Sequence, residues 1–126
     1  MAFERPGAGG LDYQTCRYGT SKLLFRGPRR RLVPPYALFL GGTDTYGRFV
    51  PQPFPDLVAG DLGMACINMG CVNAGPDAFA GDETVRAALA RADIAVIEAM
   101  GAHNLSNRFY RVHPRRNDRF IAAEPA

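Results

Sequence analysis

YALFLGGTDTYG, at residues 36–47, is the stretch that decides the fold. Its first part, 36–40, is a short apolar run bounded by Pro35 on one side and by two glycines on the other. Such a run is typical of a strand that is buried on both faces. We therefore predict a buried strand over 36–40, followed by a glycine-rich polar turn.

Two further apolar runs follow the first one along the chain. MACINM, at 64–69, ends at Gly70, and DIAVIEAM, at 93–100, ends at Gly101. Both runs have the length of a strand, and glycine directly after each one favours a turn. We predict that they are the second and third strands.

A helix is predicted in each of the two connections. In the first, Pro55 can occupy the opening turn, where its missing N–H does no harm, and the helix can continue to Gly63. In the second, Asp82 is a predicted N-cap for a helix that ends at Arg91. Strands that alternate with helices pair in parallel through right-handed crossovers. The sequence therefore predicts an α/β protein with a three-layer, doubly wound parallel sheet.

The predicted sheet is incomplete. Three strands are few for an open α/β sheet, which usually has about five or six. The stretch 105–126 is polar and rich in arginine, with Pro114 in its middle, and offers few apolar residues to cover a sheet. We divide the chain into an irregular lead-in, 1–35, which is rich in glycine and proline, and a partial α/β domain, 36–126.

Length and composition narrow the class of protein. A chain of 126 residues with 47% hydrophobic residues fits one small domain with a buried core. The sequence has no apolar run of membrane-spanning length, and the first residues carry an acid and lack the apolar core of a signal peptide. We expect a cytoplasmic protein without a membrane span.

Neither a metal nor a cofactor is expected. The three cysteines, Cys16, Cys66 and Cys71, form no CxxC pair and have no histidine at ligand spacing, so buried thiols are the better interpretation. The glycine-rich turn matches neither GxGxxG nor the phosphate-binding loop with its Lys-Ser/Thr pair.

The positive charge is concentrated in two parts of the chain. The net charge is +3, but the middle, 44–98, is acidic. Basic ends around an acidic centre indicate either an anion-binding face or arginines that are solvated or paired with carboxylates. The arginines concerned are Arg26, Arg29, Arg30 and Arg31 near the start, and Arg108, Arg111, Arg115, Arg116 and Arg119 near the end.

Small and polar residues follow each predicted strand. The three blocks are GGTDTYG at 41–47, NMGCVNAG at 68–75 and GAHNLSN at 101–107. In open parallel sheets, ligands bind outside the carboxyl ends of the strands. The sequence therefore predicts a functional site where these three blocks converge.

These blocks resemble those of the SGNH (GDSL-type) hydrolase superfamily. GGTDTYG is similar to its G-D-S-x-T-x-G block, NMG to its N-x-G block, and GAHN to its G-x-N-D block, each after the corresponding strand. The resemblance covers 36–107. CRYG, FRGPRR and NLSNRFYRVHPRRNDRF also make the chain similar to the N-terminal half of an uncharacterised family of longer bacterial proteins.

The resemblance implies particular roles for site residues. Thr43 falls at the nucleophile position, Gly70 or Gly75 at the oxyanion-hole glycine, and Asn104 or His103 at the oxyanion asparagine. Such a site uses a hydroxyl activated by a base, and N–H or amide donors that stabilise the oxyanion. The substrate is expected to be a small ester or anion. The residues expected to contact it are Gly42, Asp44, Asn73, Gly75, His103, Arg108 and Arg111.

This chain departs from the hydrolase pattern at the base. The D-x-x-H block is absent, and His113 has no Asp three residues before it. Gly42 stands in the place of the Asp before the nucleophile, and the nucleophile is a threonine. Losing the general base lowers acyl transfer by several powers of ten. The resemblance therefore implies a truncated or degenerate hydrolase-type domain that acts as an esterase only in a longer form.

Two other functions fit the same residues. The first is non-catalytic binding of phosphate, sulfate or a nucleotide, because 107–120 interleaves aromatic residues with arginines. Nucleic acid is not the expected partner, because Asp118 interrupts this segment. The second is an interaction protein that completes its sheet by forming a homo-oligomer.

The polar residues of the turns also have purely structural interpretations. Thr43 can bond to nearby backbone instead of attacking a carbonyl. Asn68 and Asn73 are either turn-forming residues or site amides. Tyr46 and Phe49 are expected in the core.

Overall fold

A computed structural model describes residues 14–100 with their side chains, and the backbone alone of Tyr110–His113 and Arg116–Ala123. The secondary structure alternates strands and helices over most of this length. In chain order the elements are β1 (Thr15–Cys16), β2 (Phe25–Arg26), β3 (Tyr36–Gly41), α1 (Thr43–Tyr46), α2 (Phe54–Leu62), β4 (Ala65–Gly70), α3 (Pro76–Ala80), α4 (Glu83–Arg91), β5 (Ile94–Ile97), β6 (Tyr110–His113) and β7 (Arg116–Ala123).

Three strands form the parallel sheet that the sequence predicts. Their order is β4-β3-β5, so the strand that comes first along the chain lies in the centre. Ala37 of β3 pairs with Cys66 on one side and with Ile94 on the other, and both pairings are parallel. The predicted α/β class with a parallel sheet is confirmed.

Alternation along β3 divides the apolar side chains between two clusters. Successive side chains of a strand point to opposite faces, so Leu38 and Phe39 belong to different clusters. Leu38 lies in the larger cluster with Val85 and Ala88 of α4, whereas Phe39 packs with Val58 of α2. All six residues of β3 are buried, which explains why the strand is apolar throughout.

The helix boundaries agree with the predicted signals. α2 has Pro55 in its first turn and ends at Gly63, whose φ of 64° is the left-handed conformation that glycine adopts easily. α4 begins after Asp82, whose side chain accepts a hydrogen bond from the backbone N–H of Val85 at 3.0 Å. The predicted N-cap is confirmed.

The lead-in contributes side chains to the larger cluster. Its regular structure in the described range is the antiparallel pair β1–β2, with two residues in each strand. Tyr18, Leu23 and Phe25 are nevertheless buried against the residues of the sheet. Core residues therefore come from both sides of position 35.

Arg26 is a buried structural residue. Its guanidinium donates hydrogen bonds to four backbone carbonyls, at 3.0 Å to Tyr46, 2.8 Å to Gly47, and 3.0 Å to Val50 and Pro51. The side chain is 5% exposed. The sequence grouped it with Arg29, Arg30 and Arg31, but these contacts give it the separate task of holding the loop after α1.

Three expectations need correction. The third strand, Ile94–Ile97, is shorter than the predicted 93–100, because Ile97 is the last of its residues that has a register partner in β3. Phe49 is 55% exposed, at a left-handed φ of 68°, and therefore lies outside the core. The polar stretch after residue 105 contains the antiparallel pair β6–β7, which the sequence interpretation missed because it lacks a long apolar run.

The helices are too short to cross a membrane. α2 and α4 have nine residues each, whereas a bilayer requires about twenty. No helix in the described part of the chain is a candidate span.

Candidate functional site

The ends of the three parallel strands meet at one edge of the sheet. Gly41 at the end of β3 pairs with Gly70 at the end of β4. On the other side, the N–H of Glu98, directly after β5, donates to the carbonyl of Leu40 at 2.9 Å. The turn after β3, the loop after β4 and Glu98 therefore surround one location.

Thr43 and Asn73 are in direct contact at this location. The backbone N–H of Asn73 donates to Oγ1 of Thr43 at 2.9 Å. Thr43 is the first residue of α1 and is partly buried. Asn73 has a left-handed φ of 60°, a conformation that asparagine adopts more readily than most residues. The left-handed turn at Asn73 is therefore part of the geometry that brings its N–H to the hydroxyl of Thr43.

The other predicted residues of the first two blocks surround this contact. Gly42 precedes α1 and is buried, and Asp44 lies exposed in the first turn of α1. Gly75 precedes α3, and its carbonyl accepts from the N–H of Ala78 at 3.1 Å. These residues belong to the turns that hold Thr43 and Asn73.

Gly70 is required by packing. A Cβ at this position would clash with the backbone of Thr45 and Tyr46, so only glycine lets α1 lie against the end of β4. Its N–H already donates to Oδ1 of Asn68 at 2.7 Å. The amide of Asn68 in turn donates to the carbonyl of Thr45 at 2.8 Å. A role for Gly70 as an oxyanion donor stays a prediction and requires the hydrogen bond to Asn68 to break.

Glu98 is a site residue that the sequence interpretation missed. Its Oε1 accepts from the N–H of Gly42 at 2.9 Å and from Oγ1 of Thr45 at 2.8 Å. It is placed by the end of β5, while both donors belong to the turn after β3. The signal was present in the sequence, because a carboxylate directly after an apolar strand lies at the edge where ligands bind. The sequence interpretation instead placed Glu98 inside the predicted third strand, 93–100.

The third predicted block lies outside the described residues. This applies to His103, Asn104 and Arg108. Arg111 lies in β6, where the backbone alone is described, so its side chain is outside as well. Their predicted roles remain predictions.

None of the three cysteines forms a disulfide. Cys66 and Cys71 are buried and Cys16 is half-buried. Burial raises the pKa of the Cys16 and Cys66 thiols above the usual value, so both are held in the protonated form. In the part of the chain with described side chains, no three His, Cys, Asp or Glu residues are grouped as metal ligands would be.

Comparison with known proteins identifies a family. No curated protein and no solved structure matches the chain. A family model described as "Domain of unknown function (DUF6473)" matches residues 1–126, which is the whole sequence. The chain therefore belongs to the DUF6473 family.

Proposed function

We propose that the residues around Thr43 are part of a hydrolase-type site in an SGNH-like domain. In this proposal the substrate is a small ester or acyl compound, and the site is active only in a longer form of the protein that supplies a general base. The observation that carries it is the contact between Oγ1 of Thr43 and the N–H of Asn73, at the carboxyl end of the central strand.

The contact suits the chemistry of acyl transfer. Attack forms a bond from Oγ1 of Thr43 to the carbonyl carbon and places negative charge on the carbonyl oxygen. A donor that already lies 2.9 Å from Oγ1 is close to the position of that oxygen. The N–H of Asn73 would then pass from the hydroxyl to the oxyanion, while the hydroxyl proton leaves to the base.

Asn73 replaces Gly70 as the preferred oxyanion donor in this proposal. Both follow β4, but the N–H of Gly70 is held by the side chain of Asn68, whereas the N–H of Asn73 points at the hydroxyl of Thr43. The loop after β4 is longer than in the SGNH pattern, so the suitable N–H lies further along the chain.

The described residues supply no base to Thr43. Between residues 14 and 100, no carboxylate forms a hydrogen bond to its hydroxyl, and Glu98 binds Gly42 and Thr45 instead. Both histidines of the sequence, His103 and His113, lie outside the residues with described side chains. Because the sequence also lacks the D-x-x-H block that supplies the base in SGNH hydrolases, the proposal assigns the 126-residue chain no esterase activity of its own.

The strand order supports the proposal that this is a three-layer, flavodoxin-like α/β domain. Read along the chain, β4-β3-β5 is the order second-first-third. This is how the flavodoxin-like doubly wound order, 2-1-3-4-5, begins. Clusters on both sides of β3, one with α2 and one with α4, are what a three-layer domain requires.

Hydrolysis of p-nitrophenyl acetate and p-nitrophenyl butyrate tests the proposal. We expect the 126-residue chain to stay at the buffer rate, and a form extended by the coding sequence downstream of Ala126 to hydrolyse both esters. In the extended form, Thr43→Ala should lower kcat/KM at least about a hundredfold, whereas Thr43→Ser should retain activity.

Thr84→Ala is the matched control, because it removes the same atoms from a threonine of α4. It should leave the rate unchanged. An extended form that is inactive, or one that is equally active with Thr43→Ala, contradicts the proposal.

The two alternatives stay predictions. An anion that binds at the start of α1 would have to displace Glu98 from the N–H of Gly42. Sheet completion by another chain is supported by the exposed apolar residues of β5, where Ile97 is 58% exposed.

A further inference from the structure

We propose that the cleft beside the arginine triplet 29–31 binds the phosphate group of a small phosphorylated molecule. This cleft has a volume of about 360 Å³. It is separate from the strand ends, because none of the residues around Thr43 lines it. The lining residues are Tyr18, Gly19, Arg29, Arg30, Arg31 and Leu32.

The charge of the cleft is mostly uncompensated. Arg30 lies 3.5 Å from a carboxylate oxygen of Asp56. Within the described part of the chain, no carboxylate pairs with Arg29 or Arg31. Guanidinium groups are weakly hydrated and match the oxygens of a phosphate with paired N–H donors. Two free guanidinium groups in one concave surface therefore favour a phosphate dianion.

The backbone around the arginines is held in place. The hydroxyl of Tyr18 accepts a hydrogen bond from the N–H of Arg30 at 3.0 Å, and Tyr18 itself is buried against Phe25. On the other side, the guanidinium of Arg91 donates to the carbonyl of Leu32 at 3.3 Å. A fixed backbone lowers the entropy that binding must remove, which favours affinity for a small ligand.

Arg91 does not line this cleft, but its guanidinium bonds to the carbonyl of the lining residue Leu32. Arg26, by contrast, is buried and donates its hydrogen bonds to carbonyls at the end of α1 and in the loop after it. Of the four arginines at positions 26–31, Arg26 is therefore structural, whereas the triplet 29–31 faces solvent.

The size of the cleft indicates more than a bare phosphate ion. Small-molecule sites occupy about 300–1,000 Å³, and this cleft falls near the lower limit. The side chain of Leu32, which is partly buried, offers an apolar contact next to the arginines. We infer that the ligand is a phosphomonoester with a compact organic group.

Calorimetric titration of the 126-residue chain tests this inference. The probes are inorganic phosphate, glycerol 3-phosphate and AMP, at constant ionic strength set with sodium chloride. We expect saturable binding, tighter for at least one of the two phosphomonoesters than for inorganic phosphate. The double variant Arg29→Gln/Arg31→Gln should weaken it at least about tenfold, because two charge-assisted contacts are lost.

Arg86→Gln is the control, because Arg86 is an exposed arginine of α4 that does not line the cleft. It removes one charge and should leave the affinity unchanged. Circular dichroism of each variant without ligand confirms that the fold persists. The inference is overturned if no probe binds saturably at millimolar concentration. It is also overturned if the double variant binds as tightly as the original chain, or if inorganic phosphate binds more tightly than both phosphomonoesters. Thr43→Ala should bind as the unaltered chain does, so failure here is distinct from failure of the hydrolase proposal.

Discussion

Glu98 and Gly42 are joined by a hydrogen bond of 2.9 Å, although they lie 56 positions apart in the sequence. The same carboxylate oxygen accepts from the hydroxyl of Thr45. One side chain at the end of β5 therefore holds the turn that presents Thr43. This relationship places a structural constraint directly beside the candidate site.

Removing the carboxylate of Glu98 should destabilise the protein. Glu98→Ala leaves the N–H of Gly42 and the hydroxyl of Thr45 without their acceptor, and buried donors that lose a partner cost about 1–3 kcal/mol. Glu98→Gln keeps an acceptor oxygen and should lose less. Urea denaturation measures the free energy of unfolding. Asp61→Ala, on the exposed surface of α2, should stay within about 0.5 kcal/mol of the original; an equal loss in both alanine variants refutes the assigned role.

Two glycine substitutions should change stability in opposite directions. Gly70→Ala forces a Cβ against the backbone of α1, and overpacking of this kind costs about 1–3 kcal/mol or more. Gly60→Ala, in the last turn of α2, meets open space and should stabilise by about 0.5–1 kcal/mol, because alanine favours the helix. In thermal unfolding, the Tm of Gly70→Ala should lie below that of the original chain and the Tm of Gly60→Ala above it. A stable Gly70→Ala variant contradicts the described approach of α1 to β4.

Arg26 should tolerate neither loss nor conservative replacement. Arg26→Met leaves four carbonyls without the guanidinium, and Arg26→Lys cannot reach all four with one ammonium group. We expect a loss of about 2–4 kcal/mol for Met and a smaller loss for Lys. Arg86→Met, at an exposed position of α4, is the control and should be nearly neutral. Chemical denaturation distinguishes the three, and a neutral Arg26→Met variant shows that the loop does not depend on this side chain.

Alkaline pH should weaken the fold through Tyr18. Burial raises the pKa of Tyr18 from 10.0 to about 12. Because the folded pKa lies above the unfolded one, the stability linked to this phenol is complete below pH 10 and is lost as the pH rises towards 12. Tyr18→Phe removes the ionisable group, so the decline of unfolding free energy between these values should become shallower. Absorbance titration of tyrosinate should also lose one phenol that titrates towards pH 12 in this variant; loss of a phenol that titrates near pH 10 means that Tyr18 ionises normally.

Local signals in the sequence account for β3, β4, α2 and α4 and for their approximate boundaries. The apolar runs that became β3 and β4 are bounded by proline and glycine, and Asp82 caps α4 as its side chain and position predict. These features depend on neighbours within a few residues, so they can be read before the chain is folded. Parallel pairing also followed from the sequence, because connections that contain a helix bring strands together in the same direction.

Contacts between distant residues were decided by the tertiary structure. The bond from Asn73 to Thr43 depends on where the loop after β4 passes over α1, and a left-handed turn at one residue determines that path. Glu98 accepts a hydrogen bond from the N–H of Gly42 only because β5 lies beside β3 in the sheet. Arg26 and the arginines at 29–31 are alike in the sequence, and burial against the loop after α1 separates them.

The sequence by itself determined the α/β class, the strands β3 and β4 and the cap of α4, because backbone preferences and apolar periodicity act over short distances. The tertiary structure alone decided which N–H meets which oxygen at the strand ends. The reason is physical: a hydrogen bond requires its two atoms to lie within about 3 Å, and only the packed arrangement of all the elements brings distant residues that close.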